Sequence, residues 1–223
     1  MFHFPYRTLA ALAVAAGMLP SLDAAAASPL PAPAQDVPAA SVKGAQTAVF
    51  AGGCFWGVEA VYRHVKGVTK AVSGYAGGNA KTADYEMVST GMTGHAESVE
   101  VTYDPAQISY GELLRVFFSV AHDPTQLNRQ GPDHGSQYRS AIFFTNDDQK
   151  RVAQAYIQQL GQAKVYADSI VTQVVPLTAF YPAEAYHQNY LALHRTQPYI
   201  VAHDLPKLAQ LKQQFPERYV AMQ

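Results

Sequence analysis

Between Thr47 and Thr145 the hydrophobic period of the chain switches repeatedly between strand spacing and helix spacing, and this alternation restricts the fold more than any other feature. Thr47–Ala51 (TAVFA) is a short apolar run, read as a buried strand, and Gly52-Gly53 break it. Phe55, Val58, Val61, Tyr62 and Val65 recur at helical spacing towards Lys66, with Gly67 as the stop. Val68–Gly74 reads as a second strand, ending in the turn Gly74-Tyr75-Ala76-Gly77-Gly78. A loop carrying Tyr85 leads to His95–Tyr103, which alternates as a strand and stops at Asp104-Pro105. Ser109 and Glu112 form a capping box ahead of an apolar run, predicting a helix to about Ala121. His122–Gln137 is rich in Gly, Pro, Asn and Asp and long enough to suggest a functional loop. Tyr138–Thr145 then reads as a strand.

The order β-α-β-β-α-β is the split pattern of an α+β, two-layer ferredoxin-like plait. Beyond it, Asp147–Leu160 reads as a helix, Ser169–Val175 as an extra strand and Glu184–Leu193 as helical, before a tail with an amphipathic stretch at Leu205–Gln213. The folded domain is expected to span residues 47–223. Ahead of it, residues 1–27 carry a basic start, a 12-residue apolar run from Thr8 to Leu19 and small residues at Ala25-Ala26-Ala27. These are the parts of a cleaved secretory signal peptide, and the run is too short for the ~20 residues of a membrane span. Pro, Ala and small polar residues over 28–46 predict a flexible or polyproline-like linker. The expected location is therefore periplasmic or extracellular, with no stable membrane anchor.

Charge and cysteine usage remove several function classes. With 16 basic against 17 acidic side chains and a formal net charge of -1, the chain lacks the basic excess of a nucleic-acid binder. A single cysteine excludes a disulfide framework and a Cys-rich zinc site. The histidines show no spacing that gathers metal ligands, and His187 is expected at most to support a site by hydrogen bonding.

The cysteine itself is well placed for chemistry. Cys54 lies between a strand end and a helix start, after two glycines that let the chain turn. A helix N-terminus favours the thiolate, so a lowered thiol pKa is expected. Phe55 fits the apolar helical stripe, whereas Trp56, the one tryptophan, falls off it beside the thiol and suits a pocket wall. On these features alone a small buried hydrophobe remains the alternative reading for Cys54.

Gly52-Gly53-Cys54-Phe55-Trp56-Gly57 resembles the signature of the peptide methionine sulfoxide reductase A family. Four further blocks agree in order: Gly74–Gly78, Thr93-Gly94-His95-Ala96-Glu97, Gln130–Ser140 and Tyr186-His187-Gln188. The resemblance covers about Thr47 to Leu193. It implies reduction of the S epimer of methionine sulfoxide, free or in proteins, with no bound cofactor. It also implies Cys54 as nucleophile, Phe55 and Trp56 around the substrate methyl, Glu97, Tyr85 and Tyr138 at the sulfoxide oxygen, and Asp133 beside the substrate backbone. Alternation along His95–Tyr103 puts Glu97 on the face of Val99, Val101 and Tyr103, where burial would raise its pKa and keep it protonated. A neutral carboxyl there can act as general acid, a contribution of roughly 100- to 10,000-fold. Glu100, on the other face, should be dispensable, and a structural ion pair is the competing reading for Glu97.

Many family members carry a resolving cysteine near the C-terminus; here Pro198-Tyr199-Ile200-Val201-Ala202 and the rest of the tail contain none, and Ser89 stands where some relatives have another. Oxidised Cys54 would then need an external thiol reductant, expected to be an exported thioredoxin-like protein. The enzyme is expected to be a monomer. The residues leave two other classes open: a cysteine hydrolase using a histidine base, and a non-catalytic peptide-binding module. His64, near the far end of the Cys54 helix, is out of reach as that base.

Overall fold

The computed structural model describes residues 1, 30–37 and 44–221. Apart from Met1, the expected signal peptide lies outside the described residues. The chain opens with β1 (Gln46–Gly52), α1 (Phe55–Arg63) and β2 (Val68–Ala76), followed by a short helix α2 (Tyr85–Ser89) and β3 (Ala96–Tyr103). Then come α3 (Tyr110–Val116), the small hairpin β4 (Arg129–Gln130) and β5 (Asp133–His134), and β6 (Ser140–Phe144). The rest is α4 (Asp147–Gln162), β7 (Gln173–Pro176), β8 (Phe180–Pro182), α5 (Tyr190–Leu193) and α6 (Leu205–Gln214).

One six-stranded sheet has the order β7-β6-β1-β3-β2-β8. Its four central strands pair antiparallel in the order expected of the split plait, with β7 added in parallel at one edge and β8 antiparallel at the other. Strand alternation sends Ala48, Phe50, Val99 and Val101 to the helical layer, and Val49 and Ala51 to a smaller apolar cluster on the opposite face. In the main core Phe50 is flanked by the rings of Phe117 at 5.0 Å and Tyr62 at 5.2 Å, both stacked. Such pairs add ~1 kcal/mol beyond area burial, so this cluster anchors α1 and α3 to β1. Ser109 caps α3 through the Glu112 N–H at 3.1 Å, and the last turn widens into a π-turn over Phe117–Ala121.

Several boundaries differ from the sequence reading. Tyr85 is not in a loop: Asp84 accepts the Met87 N–H and starts α2 there. Tyr138 ends a 3-10 turn (Ser136–Tyr138) rather than opening the strand, which begins at Ser140. The extra strand expected over Ser169–Val175 is β7, which starts only at Gln173, and β8 adds a second one. Glu184–Leu193 breaks into a 3-10 turn (Ala185–His187) and α5, because Asn189 has a left-handed φ of 55° and its N–H is held by the buried Glu59 carboxylate at 3.0 Å. The described part of the expected linker, 30–37, is docked rather than free. Arg115 and Tyr156 donate to the carbonyls of Leu30 and Pro31, and Asp36 accepts the Gly111 N–H at 2.8 Å.

Candidate active site

The site begins where β1 leaves the sheet. Gly53 has a φ of 87°, and a Cβ there would lie 2.5 Å from the Gln130 side chain, so only glycine makes this turn without strain. Cys54 follows at the N-cap of α1. The Trp56 N–H bonds its sulfur, while the Phe55 N–H is taken at 3.0 Å by Oε2 of Glu97 from β3. A carboxyl remote in sequence thus caps the cysteine's helix.

Cys54, Phe55, Trp56, Tyr85, Glu97, Asp133 and Tyr138 line one cavity of about 200 Å³, joined by Tyr199 from the tail. Every site residue named from the sequence therefore converges on one space. Glu97 is only 3% exposed. Burial pushes its pKa up to about 8, aided by the nearby carboxylates of Asp133 and Asp204 and opposed by the Phe55 N–H, so the neutral acid dominates at pH 7. Burial likewise raises the pKa values of Tyr85 and Tyr138 and keeps both phenols as donors.

The thiol departs from expectation. Burial drives the Cys54 pKa well above its ordinary value; the Glu97 and Asp204 carboxylates push the same way, outweighing the Trp56 N–H and the Lys207 ammonium. The free N–H groups at the helix start were expected to favour the thiolate. Water exclusion overrides them, and one of those groups is already committed to Glu97. Cys54 is a neutral thiol at rest.

Supporting contacts fix the walls. Trp56 stacks on Tyr190 with ring centres 3.8 Å apart and donates its indole N–H to Nδ1 of buried His187 at 3.1 Å. That bond requires Nδ1 to be unprotonated, consistent with a His187 pKa lowered by burial. The His187 ring packs in turn against Phe55 and Tyr85. Glu184 accepts both the Tyr85 N–H and the Tyr75 hydroxyl at 2.9 Å, setting the start of α2. Arg139 holds the turn carrying Tyr138 by donating to the carbonyls of Gly94 and His95. Asp133 accepts the Tyr199 hydroxyl at 2.5 Å.

No histidine pairs with the sulfur as a base among the described residues. His64 bonds the Ala60 carbonyl, and buried His122 is pinned between Phe117 and Ser140.

A family profile of peptide methionine sulfoxide reductases matches residues 46–219. The chain belongs to that family. The reductase is 64% identical over 176 residues to the peptide methionine sulfoxide reductase MsrA 2 of Mesorhizobium japonicum, covering 79% of this chain and 90% of the relative. It is 53% identical to the protein of the same name from Synechocystis, covering 86% and 91%. Among solved structures it is similar to the reduced form of Mxr1 from Saccharomyces cerevisiae (TM-score 0.62, 34% identity, 69% of this chain and 87% of that one). Methionine sulfoxide reductase A of Corynebacterium diphtheriae gives a TM-score of 0.60 at 36% identity, covering 70% and 78%. The chain is thus an enzyme of methionine sulfoxide reduction.

Residues that sequence reasoning missed come from the tail and from between motifs. Tyr199 was noted only as flanking the absent cysteine, yet it lines the cavity. Asp204 is fully buried and paired with Lys207 at 3.2 Å, against Gly57 in the first turn of α1, where a Cβ would lie 2.1 Å from the carboxylate. The i,i+3 spacing of Asp204 and Lys207 was the available signal, but it reads equally well as a surface pair.

Proposed function

We propose that this reductase converts the S epimer of methionine sulfoxide, free or in proteins, to methionine through a Cys54 sulfenic acid that an external thiol regenerates. The observation that carries the reading is a neutral buried carboxyl sharing an aromatic cavity with the sole cysteine of the chain. The substrate methyl packs against Phe55 and Trp56, and its oxygen takes hydrogen bonds from Glu97, Tyr85 and Tyr138. As the Cys54 sulfur attacks the sulfoxide sulfur, Glu97 protonates the oxygen and recovers a proton from the thiol. The S–S bond so formed then breaks as the OH passes from the substrate sulfur to the Cys54 sulfur, leaving Cys54 as S–OH, and methionine leaves. Sulfoxide sulfur is reduced and Cys54 is oxidised, with no net proton consumed. Donors preset at the place where negative charge develops are the principal rate source in such a site.

With one cysteine in the chain, no intramolecular disulfide can follow. A reducing thiolate must form a mixed disulfide, which a second thiol resolves. The signal-like residues 1–27 support export and repair of exported proteins, with an exported thioredoxin-fold protein as donor. Methionine formation from each sulfoxide epimer with dithiothreitol tests the reading in wild type, Cys54→Ser and Glu97→Gln. Wild type should act on the S epimer alone, Cys54→Ser should be inactive and Glu97→Gln should lose at least about 100-fold. Full activity in Cys54→Ser overturns it.

A further inference from the structure

Cys54 faces two cavities. Besides the aromatic one, a second space of about 120 Å³ is lined by Cys54, Gln130, Asp133, Tyr199, His203 and Lys207 among others. Cys54, Asp133 and Tyr199 belong to both, so the Tyr199–Asp133 hydrogen bond forms part of their common wall. The second wall has a different chemistry. Glu97, Tyr85 and Tyr138 do not line it. The Gln130 side chain is fixed, accepting the Asp123 N–H at 3.1 Å and donating to the Asp123 carbonyl at 3.0 Å. Lys207 donates one hydrogen to Asp204 at 3.2 Å and has others to spare. His203 is exposed and packs against the Tyr199 ring, which places it at the rim.

We propose that this second cavity is where the reducing thiolate reaches oxidised Cys54. The proposal rests on the sulfenic acid of the reading above and adds a direction to it. Substitution at sulfur is in line: the incoming thiolate enters opposite the bond that breaks. In the sulfenic acid the oxygen remains where Glu97, Tyr85 and Tyr138 held it, in the aromatic cavity. The attacking sulfur must then come from outside the aromatic cavity, and the second cavity is the other space that Cys54 lines. The volume equals that of about four waters, room for a short thiol-bearing arm. The thiolate forms the S–S bond as the Cys54 S–O bond breaks; Glu97 supplies the proton and the oxygen departs as water. A second thiolate attacks the mixed disulfide, releasing Cys54 and a disulfide of the reductant. The Lys207 ammonium lies where it can meet the incoming negative charge. The arm is the same whether a small thiol or a protein cysteine supplies it.

The test starts from enzyme oxidised with one equivalent of substrate, after the burst of methionine has been read in every variant. Rate constants per thiolate are then measured with anionic 2-mercaptoethanesulfonate and cationic cysteamine. Charge is introduced at the rim by His203→Glu and His203→Lys, and Val201→Glu, exposed on the same segment but lining neither cavity, is the control. The anionic-to-cationic ratio should fall about 3- to 10-fold in His203→Glu, rise by a similar factor in His203→Lys and stay at the wild-type value in Val201→Glu. A ratio unmoved by either His203 change, or moved equally by Val201→Glu, overturns the proposal. Absence of the burst in wild type would instead overturn the Cys54 reading. Reduced thioredoxin, run alongside, separates the sources. A shift of its rate constant in the His203 variants extends this route to protein cysteines, while a flat response beside shifted small-thiol rates confines it to small thiols.

Discussion

Substituting Glu97 by Gln should move activity and stability in opposite directions above pH 8. With a pKa pushed up to about 8, Glu97 is about nine-tenths protonated at pH 7 and about one-tenth protonated at pH 9. Cys54 keeps its proton across this range because its pKa lies well above the ordinary thiol value. The single-turnover rate of methionine formation should therefore fall about tenfold per pH unit above 8 in wild type. In Glu97→Gln it should be slower by about 100-fold or more and flat with pH. Stability follows from the same titration. The folded-state pKa is raised above the ordinary 4.5, so the stability given by the neutral carboxyl is complete below about pH 4.5 and is lost as pH rises through about 8. That difference corresponds to roughly 4–5 kcal/mol in favour of the neutral form. An amide keeps an acceptor for the Phe55 N–H and never ionises. The variant should thus be the more stable protein at pH 9 by several degrees in Tm, and close to wild type at pH 5. Quenched-flow measurement of methionine and thermal unfolding at both pH values check this. A wild-type burst rate that holds to pH 9.5, or a Glu97→Gln variant as fast as wild type, refutes the reasoning.

Gly53→Ala should lower stability by about 2–4 kcal/mol, because the new Cβ meets the Gln130 side chain at a φ of 87°; denaturant unfolding measures it. Trp56→Phe removes the donor to His187 while keeping an aromatic wall, and should raise KM for the sulfoxide with a smaller change in kcat. Asp36→Ala should cost about 1 kcal/mol in unfolding free energy and leave methionine formation unchanged, since it frees the Gly111 N–H at the start of α3 without touching the cavity.

Much of this architecture was legible because local and tertiary preferences agree. Phe50 and Val99 lie on strands whose alternation survives in the sheet, and the Ser109 cap forms as its spacing indicates. The Glu97 face was readable for the same reason, since alternation puts its carboxyl on the buried face of Val99, Val101 and Tyr103. Tyr85 and Tyr138 converged on the cavity although their local conformations were misread; Glu184 and Arg139 set them from other parts of the chain. The Cys54 thiol was misjudged because helix-end electrostatics are local, whereas desolvation depends on what closes over the sulfur, and residues 199–204, which supply Tyr199 and Asp204, carry no periodic signal of their own. Composition also suggested a flexible linker over 28–46, but in its described part the carbonyls of Leu30, Pro31 and Ala32 meet donors from α3 and α4.

The most direct measurement is mass analysis of the enzyme after one equivalent of methionine S-sulfoxide, without reductant and with a sulfenic-acid trap present. One methionine per chain, together with a trap adduct on Cys54, is the predicted result. Methionine released with no adduct at Cys54, or none released until a thiol is added, would contradict direct attack by the Cys54 sulfur.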